Sequence, residues 1–551
     1  MAAGAEPIDP TSRKAGNGSR LVAVLGIVLA ASALALGAAN CALAVGFPLE
    51  LEAREGTSWL HVLAIQAGVP IYDHARVAFM NMNHGPLDPL LKYILHLALP
   101  FLSPAMVTRF FVPLFPLALF MALRRALAGR LIPALVVTGG LYLLLLGLAP
   151  FHLLIGRSDP AALTFLALML VALDASMRAA AAPSGRGTWA VCIAGLLGGA
   201  VFLINWRYLP GVILGGLAWL AELAWRRGHG TGEKWAFFGR HLAVFAGGLA
   251  LPFLVILLAV FHGDVSTYYT HFVGYFLPDG SSDTVTWKWL FRGHYLTPPK
   301  ELLTNRWLVH GLFLAAALVV VATTRDRRER RLQLLLWGPA FLAIWILTAH
   351  SYDLNRAGGG LYYFAPLYVL AAFHLARSFP PSAWAGGKWP AVAALLLLAG
   401  GLPWTAAWHQ TRLMAHALEP ARAFLREERR LTAGATVRSE DLYLFEDRYN
   451  GEIIDMGDSV FRELRVGTFG ARFDDTAWRY FEQLPQQPPQ FILMGSGVRV
   501  VSPLFDEFAA KYYDRILLAP EHLWCDGGGG AVLLRLRAGV HPEPVTYPPP
   551  L

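Results

Sequence analysis

The residues with the most reactive side chains in this sequence gather in short segments between long apolar runs. The first reads Glu50-Leu51-Glu52-Ala53-Arg54-Glu55-Gly56, followed by Gly68-Val69-Pro70-Ile71-Tyr72-Asp73 and by Asn83-His84-Gly85-Pro86-Leu87. Three more are Arg157-Ser158-Asp159-Pro160, Asn205-Trp206-Arg207-Tyr208 and Asn355-Arg356, the last with Tyr362-Tyr363-Phe364 a few residues on. A carboxylate in such a place can take a proton from a hydroxyl or amine once burial raises its pKa. Imidazole and guanidinium groups can hold a phosphate by charge-assisted hydrogen bonds. A plainer reading stands beside each. Glu55 and Asp159 sit at helix starts, where a carboxylate is favoured anyway, and Arg207 and Arg356 can snorkel to lipid headgroups. His61 is expected to be a surface-facing polar residue on the helix after Glu55.

The elements that position these residues are membrane spans. The chain is 55% hydrophobic and only 15% charged, with a mean hydropathy of +0.45, which excludes an ordinary soluble enzyme. Apolar runs long enough to cross a bilayer lie near 21–47, 105–123, 131–150, 161–177, 189–204, 209–225, 242–261, 307–324, 332–349, 361–376 and 389–408, about eleven in all. The first is too long for a cleavable signal peptide and is expected to remain as a span. The net charge of +8 does not indicate a nucleic-acid partner, because Lys and Arg cluster in every second connection, as cytoplasmic loops should. Arg13/Lys14/Arg20, Arg124/Arg125/Arg130, Arg178/Arg186, Arg226/Arg227/Lys234/Arg240, Arg325 to Arg331 and Arg377/Lys388 make up that series. The N-terminus is therefore expected inside and the C-terminus outside. The apolar stretch 87–102 carries Asp88, Lys92 and His96 at i, i+4 and i+8, a polar stripe that suits an interfacial amphipathic helix better than a span.

The expected architecture is a polytopic α-helical membrane protein in three parts. Residues 1–20 form a cytoplasmic tail, 21–409 a transmembrane domain with external loops at 48–104 and 262–306, and 410–551 a small extracytoplasmic α/β domain. In the last part, Thr436–Arg438, Phe491–Met494, Arg515–Leu518 and Ala531–Leu536 read as strands, and Thr476–Gln483 and Leu504–Tyr513 as helices. Cys41, Cys192 and Cys525 lie too far apart to suggest a disulfide framework or a CxxC metal site.

An acidic residue after the first span, an amphipathic helix, the Gly68-to-Tyr72 turn and the His84-Gly85-Pro86-Leu87 motif together resemble the type C (GT-C) membrane glycosyltransferases. That superfamily includes protein O-mannosyltransferases and the aminoarabinose transferases of lipid A. The resemblance covers roughly 21–376 and is strongest from Glu55 to Leu87. It implies an inverting transferase of the multi-pass inner or plasma membrane, moving a hexosyl or pentosyl group from a polyprenyl-phosphate-linked donor to an extracytoplasmic lipid, glycan or protein. It further implies Glu55 as the catalytic base, His84, Arg207 and Arg356 as holders of the donor phosphate, and Glu52, Asp159, Tyr72 and Asn355 as further substrate contacts. The sequence departs from the pattern at one position: many members carry Asp-Glu where this chain has Arg54-Glu55, so Glu55 stands alone, with Glu52 and Glu50 behind it.

No cofactor is evident. No DxD, HExxH or CxxC pair stands in an external loop near Glu55, so a metal is not indicated, although some relatives use a divalent cation that Glu55 and Asp159 could share. Tyr268, Tyr269, His271, Tyr275, Phe276, Trp287, Trp289, Phe291 and Tyr295 suit sugar stacking or a lid, and equally an interfacial aromatic belt. Lys288 and Arg292 in the same loop read as headgroup contacts or solvated charge. Two other classes remain open. A transporter or flippase would place its polar groups near the midplane rather than at one face, and a noncatalytic scaffold in polysaccharide assembly would explain Arg54.

Overall fold

The computed structural model describes residues 17–51, 53–68, 85–148, 153–179, 186–205, 208–227, 230–265, 365–378, 401–440, 485–494, 503–519 and 531–543. The expected spans 307–324 and 332–349, the helix Thr476–Gln483, and Glu52, Tyr72, His84, Arg207, Asn355 and Arg356 lie outside these residues.

Among the described residues, α1 is Asn17–Gly46, α2 Ala53–Gln66, α3 Leu87–Ala98, α4 Pro104–Thr108, α5 Phe111–Ala126 and α6 Leu131–Leu148. Then come α7 (Ser158–Ala179), α8 (Arg186–Ile204), α9 (Leu209–Arg227), α10 (Thr231–Ala259), α11 (Ala365–Ser378) and α12 (Gly401–Thr432). Four helical stretches are long and apolar enough to cross a membrane: Pro104–Ala126, Ser158–Ala179, Arg186–Ile204 and Thr231–Ala259. On α10, Leu251, Leu254, Val255 and Leu258 are exposed. Such an apolar surface is unfavourable in water and at home against lipid tails.

α7 is the hub. It packs along α8 on one side and α5 on the other, while α8 packs along α10 and α1 lies against α6 and α12. The contact between α8 and α10 depends on glycine. A Cβ at Gly195 would overlap the Phe245 carbonyl, one at Gly199 the Leu249 carbonyl, and one at Gly248 would come within 2.5 Å of the Cys192 carbonyl. Small residues four apart on one helix, facing a glycine on the other, let the two backbones touch, which is how apolar helices gain contact where lipid removes any hydrophobic drive.

α3 is 12 residues long, about 18 Å at 1.5 Å per residue, too short for a span. Its polar stripe does not face the water. Asp88 and Lys92 are buried while Ile94 and Leu97 are exposed, so the helix turns its charges into the protein and its apolar side outward. The sequence pattern reveals two faces but not which one points inward.

α12 is 32 residues long and is tied to α1 by Asn40, whose side-chain amide donates to the Ala407 carbonyl (3.1 Å) and to Thr411 Oγ1 (2.7 Å). The chain then enters a four-stranded sheet of β1 (Val437–Glu440), β2 (Phe491–Met494), β3 (Tyr513–Leu518) and β4 (Val532–Leu536), with α13 (Pro503–Tyr512) leading into β3. The strand order is β1-β2-β4-β3, with β1 and β2 parallel and the other two pairings antiparallel. The expected strands are found within one to two residues of their sequence boundaries, except that β1 extends to Glu440.

Replacing Gly199 with Leu should force α8 and α10 apart and cost about 1 to 3 kcal/mol or more, read as a lower unfolding temperature in detergent. Gly247→Leu, on the same α10 but with open space at its Cβ, should leave that temperature unchanged.

Candidate functional site

At one end of the bundle the C-terminus of α1, the N-termini of α2, α3 and α7, the α4–α5 junction and the C-terminus of α8 meet, and their charged residues are paired. Arg109, fully buried between α4 and α5, uses all five of its N–H donors. Nε donates to Glu55 Oε1 at 2.7 Å and Nη2 to Glu55 Oε2 at 2.5 Å. Nη1 donates to the carbonyls of Ala44 (2.8 Å) and Phe47 (2.6 Å), and the second Nη2 proton to that of Leu49 (2.6 Å). Arg109 thus caps the end of α1, where carbonyls lack partners and a cation is favoured.

Glu55 is equally saturated. Besides Arg109, its Oε2 accepts from the Leu51 amide (2.6 Å) and its Oε1 from the Gly156 amide (2.5 Å). That makes four donors for the roughly four acceptor positions of a carboxylate. Glu55 is also completely buried.

The Gly156 peptide joins this pair to a second one. Its carbonyl accepts from Lys92 Nζ at 2.7 Å, and Lys92 also donates to Asp88 Oδ2 (2.7 Å) and Ser58 Oγ (2.6 Å). Ser58 Oγ in turn donates to Asp88 Oδ2 at 3.2 Å. Only glycine permits this approach, since a Cβ at 156 would overlap Thr108, the neighbour of Arg109. The next residues form a third cluster. Asp159 Oδ1 accepts from Tyr208 Oη (2.8 Å) and Asn205 Nδ2 (3.1 Å), and Asp159 Oδ2 lies 3.7 Å from Arg157 Nε. The α3 entrance is fixed to the same place: the Gly85 amide donates to the Ile204 carbonyl at 2.9 Å, and a Cβ at Gly85 would overlap the Leu203 carbonyl.

Three of the candidate carboxylates, Glu50, Glu55 and Asp159, are therefore described here, and all three are buried. Glu55 and Asp159 both start helices, as the plainer reading held, yet each is bound chiefly to residues far away in sequence. All four acceptor positions of Glu55 are engaged in this arrangement, which positions α2 against α1, the α4–α5 junction and the Gly156 turn. Arg109, Gly156 and Ser58 were not singled out from the sequence. Arg109 was findable by the same depletion of arginine in outer segments that drew attention to Arg207 and Arg356. His61 corrects its expectation: it is 7% exposed, not surface-facing. Its local helix position carries no sign of the neighbours that bury it. Its Nε2 has no hydrogen-bond partner, and burial, aided by the charge of Lys92, lowers its pKa to about 3. Among the described residues there is no group of three or more potential metal ligands.

No protein-family model matches the chain, and no curated protein does. The fold matches ArnT from Cupriavidus metallidurans in the apo state, at 14% identity, covering 92% of this chain and 97% of that one with a TM-score of 0.50. The same protein bound to undecaprenyl phosphate aligns at 15% identity, 93% and 98% coverage and a TM-score of 0.46. The oligosaccharyltransferase AglB from Archaeoglobus fulgidus, in complex with an inhibitory peptide and a dolichol-phosphate, aligns at 12% identity, 84% and 69% coverage and a TM-score of 0.39. This chain therefore shares the fold of ArnT over most of its length.

Glu55→Gln should leave the Arg109 guanidinium buried without a counter-charge and lower stability by about 3 to 5 kcal/mol. A double-mutant cycle with Arg109→Gln should return a coupling energy well above the ~0 to 1 kcal/mol of surface pairs. An unchanged unfolding temperature in Glu55→Gln would remove the positioning role.

The lowered His61 pKa also has a signed consequence. The unfolded chain takes up a proton near the ordinary value of 6.5 and the folded one only near 3, so stability should fall as pH drops between these values. The slope should reach up to about 1.4 kcal/mol per pH unit. Unfolding temperatures measured from neutral pH downwards should show that slope in the wild type and a shallower one in His61→Gln.

Proposed function

We propose that this protein is a membrane glycosyltransferase that takes a sugar from a polyprenyl-phosphate donor at the outer membrane face and passes it to an extracytoplasmic hydroxyl or amine. The observation that carries this reading is the convergence, in a chain with the fold of ArnT over 92% of its length, of the Glu55/Arg109, Asp88/Lys92 and Asp159/Arg157 groups at one end of the bundle. A transporter's polar groups belong near the midplane, whereas these lie at helix ends beside the short α3.

The roles divide by what each residue has left to give. Glu55 and Arg109 fix the entry of α2 against α1 and the Gly156 turn. Lys92 and Asp88 fix α3 against α2. The base then falls to Glu52, next to this frame in sequence, or to Asp159, whose carboxylate is oriented by Tyr208 and Asn205. His84, Arg207 and Arg356 meet the phosphate of the donor. His84 and Arg207 are each chain neighbours of residues in the frame, Gly85 and Tyr208. In the transfer, the acceptor oxygen or nitrogen attacks the anomeric carbon, its proton passes to the base, and the polyprenyl phosphate leaves with the bonding pair, its charge held by the cations.

A noncatalytic scaffold is the second reading, and it has its own observation: Arg54 stands where the family carries an acid, while the adjacent Glu55 is consumed by Arg109.

Purified protein supplied with a panel of radiolabelled polyprenyl-phosphate sugars and an envelope lipid and glycan fraction should transfer label. Glu52→Gln or Asp159→Asn should lower turnover by about 10² to 10⁴ with donor binding retained. Arg207→Ala should weaken donor binding tenfold or more. Donor binding without transfer, unaffected by any carboxylate variant, would favour the scaffold.

A further inference from the structure

The opposite end of the bundle holds a second cluster of charged residues, set around a cavity. α7 connects the two: Asp159 opens it and Asp174 lies fifteen positions later, about 22 Å along the axis. There the last turns of α5, α7, α9 and α11 surround a cavity of about 390 Å³ lined by Asp174, Arg178, Arg226 and Arg377, with Ala126, Met177 and Leu223 as its apolar wall. That volume lies within the roughly 300 to 1,000 Å³ of small-molecule sites.

Four guanidiniums share two carboxylates around it. Asp174 Oδ2 is met by Arg178 Nε (2.8 Å) and Arg125 Nε (3.3 Å). Glu222 Oε1 is met by Arg226 Nη2 (2.8 Å) and Arg377 Nη2 (3.0 Å). Arg377 is held further by Trp219, whose ring lies 4.1 Å below the guanidinium carbon and whose Nε1 donates to the Leu173 carbonyl at 2.8 Å. The carboxylates are 5% and 8% exposed, whereas Arg178 and Arg226 are 53% and 52% exposed. The acids are thus sunk into the protein as anchors, and two of the bases stand at the mouth.

Helix C-termini attract cations, and that accounts for part of the arrangement, since Arg178 Nη2 donates to the Arg125 carbonyl at the end of α5. It does not account for an open cavity with the bases at its rim. More positive charge surrounds the same end, with Lys234 of α10 set 4.8 Å over Trp225. Planar guanidiniums converging from three helices match the oxygens of a phosphate, which offers acceptors in several directions. The apolar wall beside them suits a headgroup that continues into acyl chains. Basic pockets between membrane helices take up anionic headgroups in this way.

We propose that this cavity binds a phosphate group, from an anionic phospholipid headgroup or a soluble phosphate, at the membrane face opposite the Glu55 site. The proposal is independent of the transferase reading, because no residue of it belongs to that site.

The test uses the full chain. Wild type, Arg178→Gln/Arg226→Gln and Arg124→Gln are reconstituted in nanodiscs of phosphatidylcholine alone or with phosphatidylglycerol, and separately titrated in detergent with inorganic phosphate. Asp174 keeps Arg125 and Glu222 keeps Arg377 in the double variant, so it is designed to fold, and unfolding in plain phosphatidylcholine monitors this. Wild type should be stabilised by phosphatidylglycerol or by phosphate, the double variant should lose at least tenfold in apparent affinity, and Arg124→Gln should behave as wild type. Stabilisation by phosphatidylglycerol alone identifies the ligand as a headgroup, and stabilisation by both identifies the phosphate group itself. If neither probe stabilises the wild type, or the double variant responds as the wild type does, the arginines are ion-pair partners only and the proposal is overturned.

Discussion

The Arg109–Glu55 pair is the interaction on which the described end of the bundle depends. Removing two charges from water is costly, and the mutual attraction offsets that cost only when every remaining donor and acceptor is also met. Here the condition is fulfilled. Five guanidinium N–H groups reach two carboxylate oxygens and three carbonyls, and the carboxylate collects two backbone amides besides. The pair therefore defines a relative position for α1, α2, the α4–α5 junction and the turn before α7, because displacing any of them leaves a buried group unmet.

The Gly156 peptide passes this constraint on. Its amide serves the Glu55 pair and its carbonyl the Lys92 pair, so the register of α3 is coupled to that of α2 through one backbone unit. The residues after it, Arg157 to Asp159, are then presented to Asn205 and Tyr208 at the join of α8 and α9. Five segments of the chain, 44–58, 85–92, Arg109, 156–159 and 204–208, are tied into one frame by side chains that carry few local signals of their role.

That explains what could be read from the sequence. Apolar length is a local property, and most helices and strands inside the described residues fall close to the expected boundaries, but α10 starts eleven residues before the expected 242 and α12 runs on to Thr432, past the expected end of the span at 408. The presence of a polar stripe on α3 was equally local. Its direction was not, because a helix period reveals two faces without saying which meets the core. The candidate site was half legible for the same reason. Glu55 and Asp159 stood out as carboxylates at helix starts, but the partner that decides what Glu55 can do lies 54 positions away. Asp174 and Glu222 passed unremarked inside apolar runs, although an acid within a span is a strong functional or structural signal in itself.

The Arg109–Glu55 pair, with every donor and acceptor engaged, also constrains where chemistry takes place. Groups that must exchange partners with a substrate cannot be the ones whose every donor or acceptor is already engaged, since engaging a substrate would mean breaking buried ion pairs. In the proposed transferase those groups belong on the connections between the helices, as reactive residues commonly sit on loops borne by a rigid scaffold. His84 lies in the connection between α2 and α3, Arg207 in that between α8 and α9, and Arg356 in the segment leading to α11. The first two are flanked by residues of the frame, Gly85 and Asn205. Arg54 stands beside Glu55 in the first turn of α2, and Glu55 alone supplies the oxygens that Arg109 and Gly156 require.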